Sequence, residues 1–151
     1  MELFHTSPCK IEKIGSTGRF GEFLFFSNSV YTMTAGSPVV YRLELSDSDV
    51  IEAGQLFYHD EAAKLAGLVA DLAARLGVSE EDAEALIEES LSVYDLDNVP
   101  AEDAADVSWD VQLFTARAAK VLGFRAVQVQ DEQGASWMVD MLGRESELAA
   151  A

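Results

Sequence analysis

Residues Phe124–Val139, FRAVQVQDEQGASWMV, constrain this chain more than any other stretch. Val127 and Val129 alternate with Gln128 and Gln130, the period-2 pattern of a half-buried strand. Asp131, Glu132, Gln133 and Gly134 follow as a polar turn in which a glycine takes positive φ without steric cost. Ser136–Val139 returns as a second strand. A chain with such a hairpin must build a sheet around it and bury one face. The same turn sets two carboxylates, Asp131 and Glu132, at the end of a rigid strand, a common setting for catalytic side chains. Taken alone, they read as ordinary solvated turn residues. The start of the chain changes that balance.

A length of 151 residues suits one domain with a core of its own, and 49% hydrophobic residues make it globular rather than disordered. The formal net charge is −17, from 27 acidic and 10 basic residues. Such a surface repels phosphate backbones and argues against direct nucleic-acid binding. It leaves two meanings open, solubility or imitation of a nucleic acid toward a basic partner. Cys9 is the sole cysteine, so no internal disulfide forms, which fits a reducing cytoplasm. No apolar run reaches membrane-spanning length, and Met1–His5 does not resemble a signal peptide. Only two histidines occur, His5 and His59, without Cys–His spacing, so no metal site is expected. P-loop, dinucleotide-fingerprint and nucleophile-elbow motifs are missing.

Along the chain, Glu2–His5 reads as a first strand ending in a histidine, stopped by Thr6, Ser7 and Pro8. Gly15, Gly18 and Gly21 form a loop that can approach a ligand closely, and Phe23–Phe26 is a short apolar strand ending at Ser27. Asn28–Ala35 is expected to make one or two helical turns. Val39–Leu45 alternates as a strand, and Asp47–Tyr58 is irregular. Helical spacing runs through Asp60–Leu76, closed by Gly77, and through Glu80–Val93, capped by Ser79. Ser108 is expected to cap a helix over Trp109–Leu122, and Arg144–Ala151 is a short helical or frayed tail.

Three features therefore occur in order: Leu3-Phe4-His5-Thr6-Ser7, then Leu24-Phe25-Phe26-Ser27 with Tyr31, then Val127–Asp131-Glu132. This order resembles the ADP-ribosyltransferase fold, whose pocket holds a histidine, a tyrosine or small hydroxyl residue, and an acidic residue. More closely, the chain resembles ADP-ribosyltransferase-type anti-CRISPR proteins that act on type I-F systems. Met1–Ser7, Gly18–Phe26 and above all Val121–Trp137 carry the resemblance; residues 47–108 do not match in detail. In the second motif, Ser27 or Tyr41 can stand in for Tyr31.

The resemblance implies an α+β fold: two small, mostly antiparallel sheets around an NAD cleft, with peripheral helices. It implies one domain over 1–151 with a helical insert at about 59–98. Helices 60–76 and 80–93 are expected to form an appendage that shapes partner recognition. It further implies a phage-borne mono-ADP-ribosyltransferase in the bacterial host cytoplasm. NAD would be its substrate, and its target the large, PAM-reading subunit of a type I-F CRISPR surveillance complex. Asp131, with Glu132 as the competing carboxylate, would be catalytic. His5, Thr6, Ser7, Arg19, Phe20, Phe26, Ser27 and Tyr31 would bind NAD. Period-2 alternation alone instead puts Glu132 on the polar face of Gln128 and Gln130. The rival readings are a non-enzymatic acidic DNA mimic, and an ADP-ribosylating toxin or housekeeping enzyme with another target.

Overall fold

The computed structural model describes residues 1–7, 23–28, 39–131 and 134–150, with Asp131 and Ala150 described by backbone alone. The glycine loop around Gly15–Gly21, Cys9 and the turn expected over Asn28–Ala35 (beyond Asn28 itself) lie outside these residues. The described residues form two sheets. Strands β1 (Glu2–Ser7), β3 (Val39–Glu44) and β7 (Ala149–Ala150) form the smaller, in the order β1-β3-β7. Strands β2 (Phe23–Phe26), β4 (Val50–Glu52), β5 (Ala126–Asp131) and β6 (Gly134–Asp140) form the larger, in the order β2-β6-β5-β4.

The hairpin is the centre of the larger sheet. Strands β5 and β6 are antiparallel from Ala126↔Val139 to Asp131↔Gly134, and Gly134 takes φ 118. Alternation along β5 follows the sequence: Val127 and Val129 are wholly buried, Gln128 is half-buried and Gln130 exposed. Val127, Val129, Met138, Ile51 and Phe23 face a helical layer. Ala126, Trp137, Val139 and Phe26 face the smaller sheet through Leu3, Leu43 and Leu45. The larger sheet is thus buried on both faces.

The helical layer contains α1 (Ala66–Leu76), α2 (Glu80–Ile87) and α3 (Ala104–Val121). Gly77 closes α1 at φ 65, and Ser79 caps α2 by accepting a hydrogen bond from Asp82 N–H at 3.1 Å. Helix α2 stops at Ile87, short of the Val93 read from sequence, because Glu89 turns left-handed at φ 67. Such a conformation costs a non-glycine residue on the order of 1 kcal/mol. Helix α3 begins before Ser108, since Ala104 is buried and extends the stripe of Val111, Phe114, Thr115, Ala118 and Ala119 by two turns. The buried Thr115 hydroxyl lies 2.8 Å from Ile87 O, tying the end of α2 to α3. Leu72, Leu86 and Ile87 share one cluster with Val127 and Val129, so α1 and α2 are packed into the core.

Two strands escape the sequence reading. Strand β4 lies in the stretch expected to be irregular and pairs parallel to β5, with Val50↔Ala126, Ile51↔Val127 and Glu52↔Gln128. A parallel pair needs a long crossover, and all three helices lie within it. Strand β7, in the expected helical tail, follows a 3-10 turn at Glu145–Glu147 and adds two residues to β3. Strand β1 also runs on through Ser7, pairing Thr6↔Val40 and Ser7↔Val39.

Candidate active site at the corner between the sheets

The sheets meet edge to edge. Phe4 and Ser27 exchange both backbone hydrogen bonds, each 2.8 Å, so β1 and β2 touch through a single bridge. Among the described residues the ladder does not continue as regular pairing. Instead the His5 side chain enters, with Nδ1 2.6 Å from Phe25 O and its ring 5.5 Å from that of Phe26, tilted by 48°. A carbonyl oxygen only accepts, so Nδ1 carries the proton. Burial pushes the imidazole below its ordinary value of 6.5, and the Phe25 bond opposes only part of that shift. His5 is therefore neutral at pH 7: Nδ1–H donates to Phe25 O, and the Nε2 lone pair is an acceptor.

This tautomer has a pH signature. A folded-state pKa below the unfolded value makes the His5 contribution complete above pH 6.5 and lost as pH falls from 6.5 toward the folded value. We expect the melting-temperature advantage of the parent over His5→Gln to be larger at pH 7.5 than at pH 5.5. A gap that stays constant across that range shows that His5 is not held neutral.

The remaining site residues fall around this corner. Phe26 is buried and pairs with Trp137, which pairs with Gln128. Trp137 was not foreseen as a site residue. It is only 5% exposed, and its indole N–H has no partner among the described residues. Its aromatic type in a strand reads simply as core, which is why the sequence did not single it out. Thr6 is half-buried and Ser7 buried. In an antiparallel strand, alternate residues aim their peptide groups to the same side, so Thr6 presents N–H and C=O toward β2 as Phe4 does. Tyr41 lies directly across from His5 on β3 and is buried.

Strands β2 and β5 run in the same direction, each antiparallel to β6. Ser27 and Asp131 thus lie at the same end of the larger sheet. Two strand spacings and three residue rises from Phe26 put the Asp131 backbone roughly 14 Å away, within the length of a dinucleotide. His5, Thr6, Ser7, Phe26 and Ser27 are brought together at the corner, and the backbone of Asp131 ends β5 on the same side. Arg19, Phe20, Tyr31 and Glu132 lie outside the described residues. Among the described residues there is no group of three or more His, Cys, Asp or Glu that could hold a metal ion. No helix among them is long and apolar enough to cross a membrane.

A family model described as "Anti-CRISPR Type I-F ADP-ribosyltransferase AcrIF11" matches residues 1–144. A solved structure described as "Crystal structure of an anti-CRISPR protein" is similar at 26% sequence identity and a TM-score of 0.60. The similarity covers 92% of this chain and 88% of that one. No curated protein matches the chain in sequence.

Proposed function

The chain belongs to the family of type I-F anti-CRISPR ADP-ribosyltransferases, and from that premise we propose that it transfers one ADP-ribose from NAD to a protein of a type I-F CRISPR surveillance complex. The proposed acceptor is the large subunit that reads the PAM, in the host cytoplasm. An anionic adduct there obstructs DNA both sterically and by repelling phosphate. The observation that carries this reading is the corner itself. A neutral histidine is pinned where the two sheets meet, at the end of the larger sheet where the backbone of β5 reaches Asp131.

In the reaction the bond from the ribose anomeric carbon to the nicotinamide nitrogen breaks. Its electron pair leaves with nicotinamide, and positive charge grows on the ribose. Asp131 stabilises that charge as it forms, which is preferential binding of the transition state. His5 Nε2 accepts from a ribose hydroxyl and fixes the sugar. The peptide groups of Thr6 clamp the nicotinamide amide, with Ser7 behind them. Phe20 supplies aromatic surface to the ring, the buried Phe26 backs the His5 imidazole from the core, and Ser27, Tyr31 or Tyr41 supplies the hydroxyl of the second motif. Arg19 meets the diphosphate through paired hydrogen bonds. A nucleophile of the target then attacks the exposed face of the sugar and loses its proton.

Partner recognition is assigned to the acidic helical layer. Helices α1 and α2 border a groove of about 720 Å³ with Phe57 and Val69 in its lining and Glu80, Glu81, Glu84 and Glu88 along one side. Charge complementarity there suits a basic protein surface.

The decisive experiment incubates the chain with labelled NAD and purified type I-F complex. Label on one subunit supports the transferase. Salt-sensitive binding without label favours the acidic mimic, to which the net charge of −17 lends weight. Label on other host proteins instead favours a different target. In the same assay Glu81→Lys with Glu84→Lys should spare NAD hydrolysis and lower target modification about tenfold, the scale of lost electrostatic steering. Equal loss of both activities in a folded variant refutes the assignment of the groove.

A further inference from the structure

We propose that Glu89, at the end of α2, is a positioning residue for the end of β5, acting through the backbone of Gln130. This rests on the reading that the residues after Gln130 carry the reacting carboxylate. Helix α2 ends in a two-bond cap. Ser90 N–H reaches back to Ala85 O at 2.9 Å, and Glu89 N–H to Leu86 O at 3.2 Å. That pattern places Glu89 in the left-handed slot, at φ 67, where glycine is the low-cost occupant. The chain carries a glutamate there instead, and its side chain has a specific use. Gln130 N–H points to Glu89 Oε1 at 3.1 Å and Oε2 at 3.3 Å.

The bond sits where the sheet no longer supports β5 on that side. Strand β4 ends at Glu52, opposite Gln128, two residues short of Gln130. Beyond it the outer edge of β5 passes to the Glu89 carboxylate, while β6 holds the other edge as far as Asp131↔Gly134. A strand end clamped on both edges cannot fray. Asp131 immediately follows the clamped amide, and a small misplacement of a reacting group costs rate steeply. Glu89 therefore links the helical layer to the chemistry without touching substrate.

Three variants separate this role from a plain structural one. Glu89→Gly suits the left-handed slot but loses the carboxylate. Glu89→Ala loses both, and Glu89→Gln keeps an acceptor oxygen. We expect Glu89→Gly and Glu89→Ala to lower kcat for transfer about tenfold, with KM for NAD within about twofold, because NAD is held mainly at the corner. Glu89→Gln should stay within about threefold of the parent, since its amide oxygen still accepts. Glu89→Gly should melt within about 3 °C of the parent, relief of the backbone offsetting the lost bond, and Glu89→Ala clearly lower. Amide exchange at Gln130 should speed up about tenfold in Glu89→Gly, the loss of one hydrogen bond. Rates that track melting temperature, with Glu89→Gly as fast as the parent, overturn the proposal. So does unchanged exchange at Gln130, or a Glu89→Gln variant as slow as Glu89→Ala. Full rate in every Glu89 variant beside a dead Asp131→Ala removes this inference alone. A parent that transfers nothing removes the reading of the strand end, and this proposal with it.

Discussion

Asp131→Ala is expected to slow ADP-ribose transfer by about 100- to 1000-fold, the cost of removing one preorganised electrostatic contact from a developing charge. The contact matters only as positive charge grows on the ribose, so the loss falls on kcat rather than on NAD affinity. NAD should still bind, held by the His5 corner. The fold should survive, because the substitution lies at the end of β5 beside Gly134, away from the buried rows of Val127 and Val129. Glu132→Ala is the necessary companion. Resemblance to the family selects Asp131, whereas straight continuation of the alternation puts Glu132 on the face of Gln128 and Gln130. Transfer rate and NAD affinity measured side by side decide between them. A dead Glu132→Ala with an active Asp131→Ala exchanges the two roles. Full rate in both leaves no catalytic carboxylate at this turn, and the acidic-mimic reading takes over.

How much of this the sequence could reveal follows from the range of each interaction. The hairpin was legible because its signal is local: alternation in Val127–Gln130 and a glycine at Gly134, which does take positive φ. Gly77 and Ser79 were legible for the same reason, the first closing α1 and the second capping the start of α2. Strands β4 and β7 were not, since two or three residues cannot show a period and exist as strands only because β5 and β3 offer open edges. The start of α3 was misjudged because a good N-cap residue, Ser108, lies inside a helix whose buried stripe reaches back to Ala104. At the corner, His5 was visible as a strand residue followed by small polar ones. Its partner, the carbonyl of Phe25, is 20 residues away and has no side-chain signature. That partner fixes the tautomer and leaves the Nε2 lone pair as an acceptor. Glu89 is equally hidden: as one acidic residue among many, it is distinguished only by its backbone angle and by an amide 41 residues ahead.

The second large effect concerns stability. Ile87→Ala should destabilise the chain by about 2–5 kcal/mol, the usual cost of emptying a buried aliphatic site. Domains of this kind have only about 5–15 kcal/mol in total. Ile87 is fully buried, its carbonyl receives the Thr115 hydroxyl, and it shares a cluster with Val127, Val129 and Met138 of the larger sheet. The helical layer covers one face of the sheet that carries the candidate site, so it cannot melt without exposing the sheet. We therefore expect a single transition, lowered by roughly 10 °C on the usual scaling of melting temperature with free energy. Helix loss followed by far-ultraviolet circular dichroism should coincide with Trp137 fluorescence in a Trp109→Phe background. Trp109 is 41% exposed on α3, whereas Trp137 reports from the opposite face of the sheet. Helices that were a detachable appendage would give two separated transitions, with the Trp137 signal unmoved by Ile87→Ala. Coincident melting means instead that the surface proposed to meet the partner and the strand proposed to meet NAD are stabilised by the same buried residues. Substitutions in α2 must then be read for rate and for stability together.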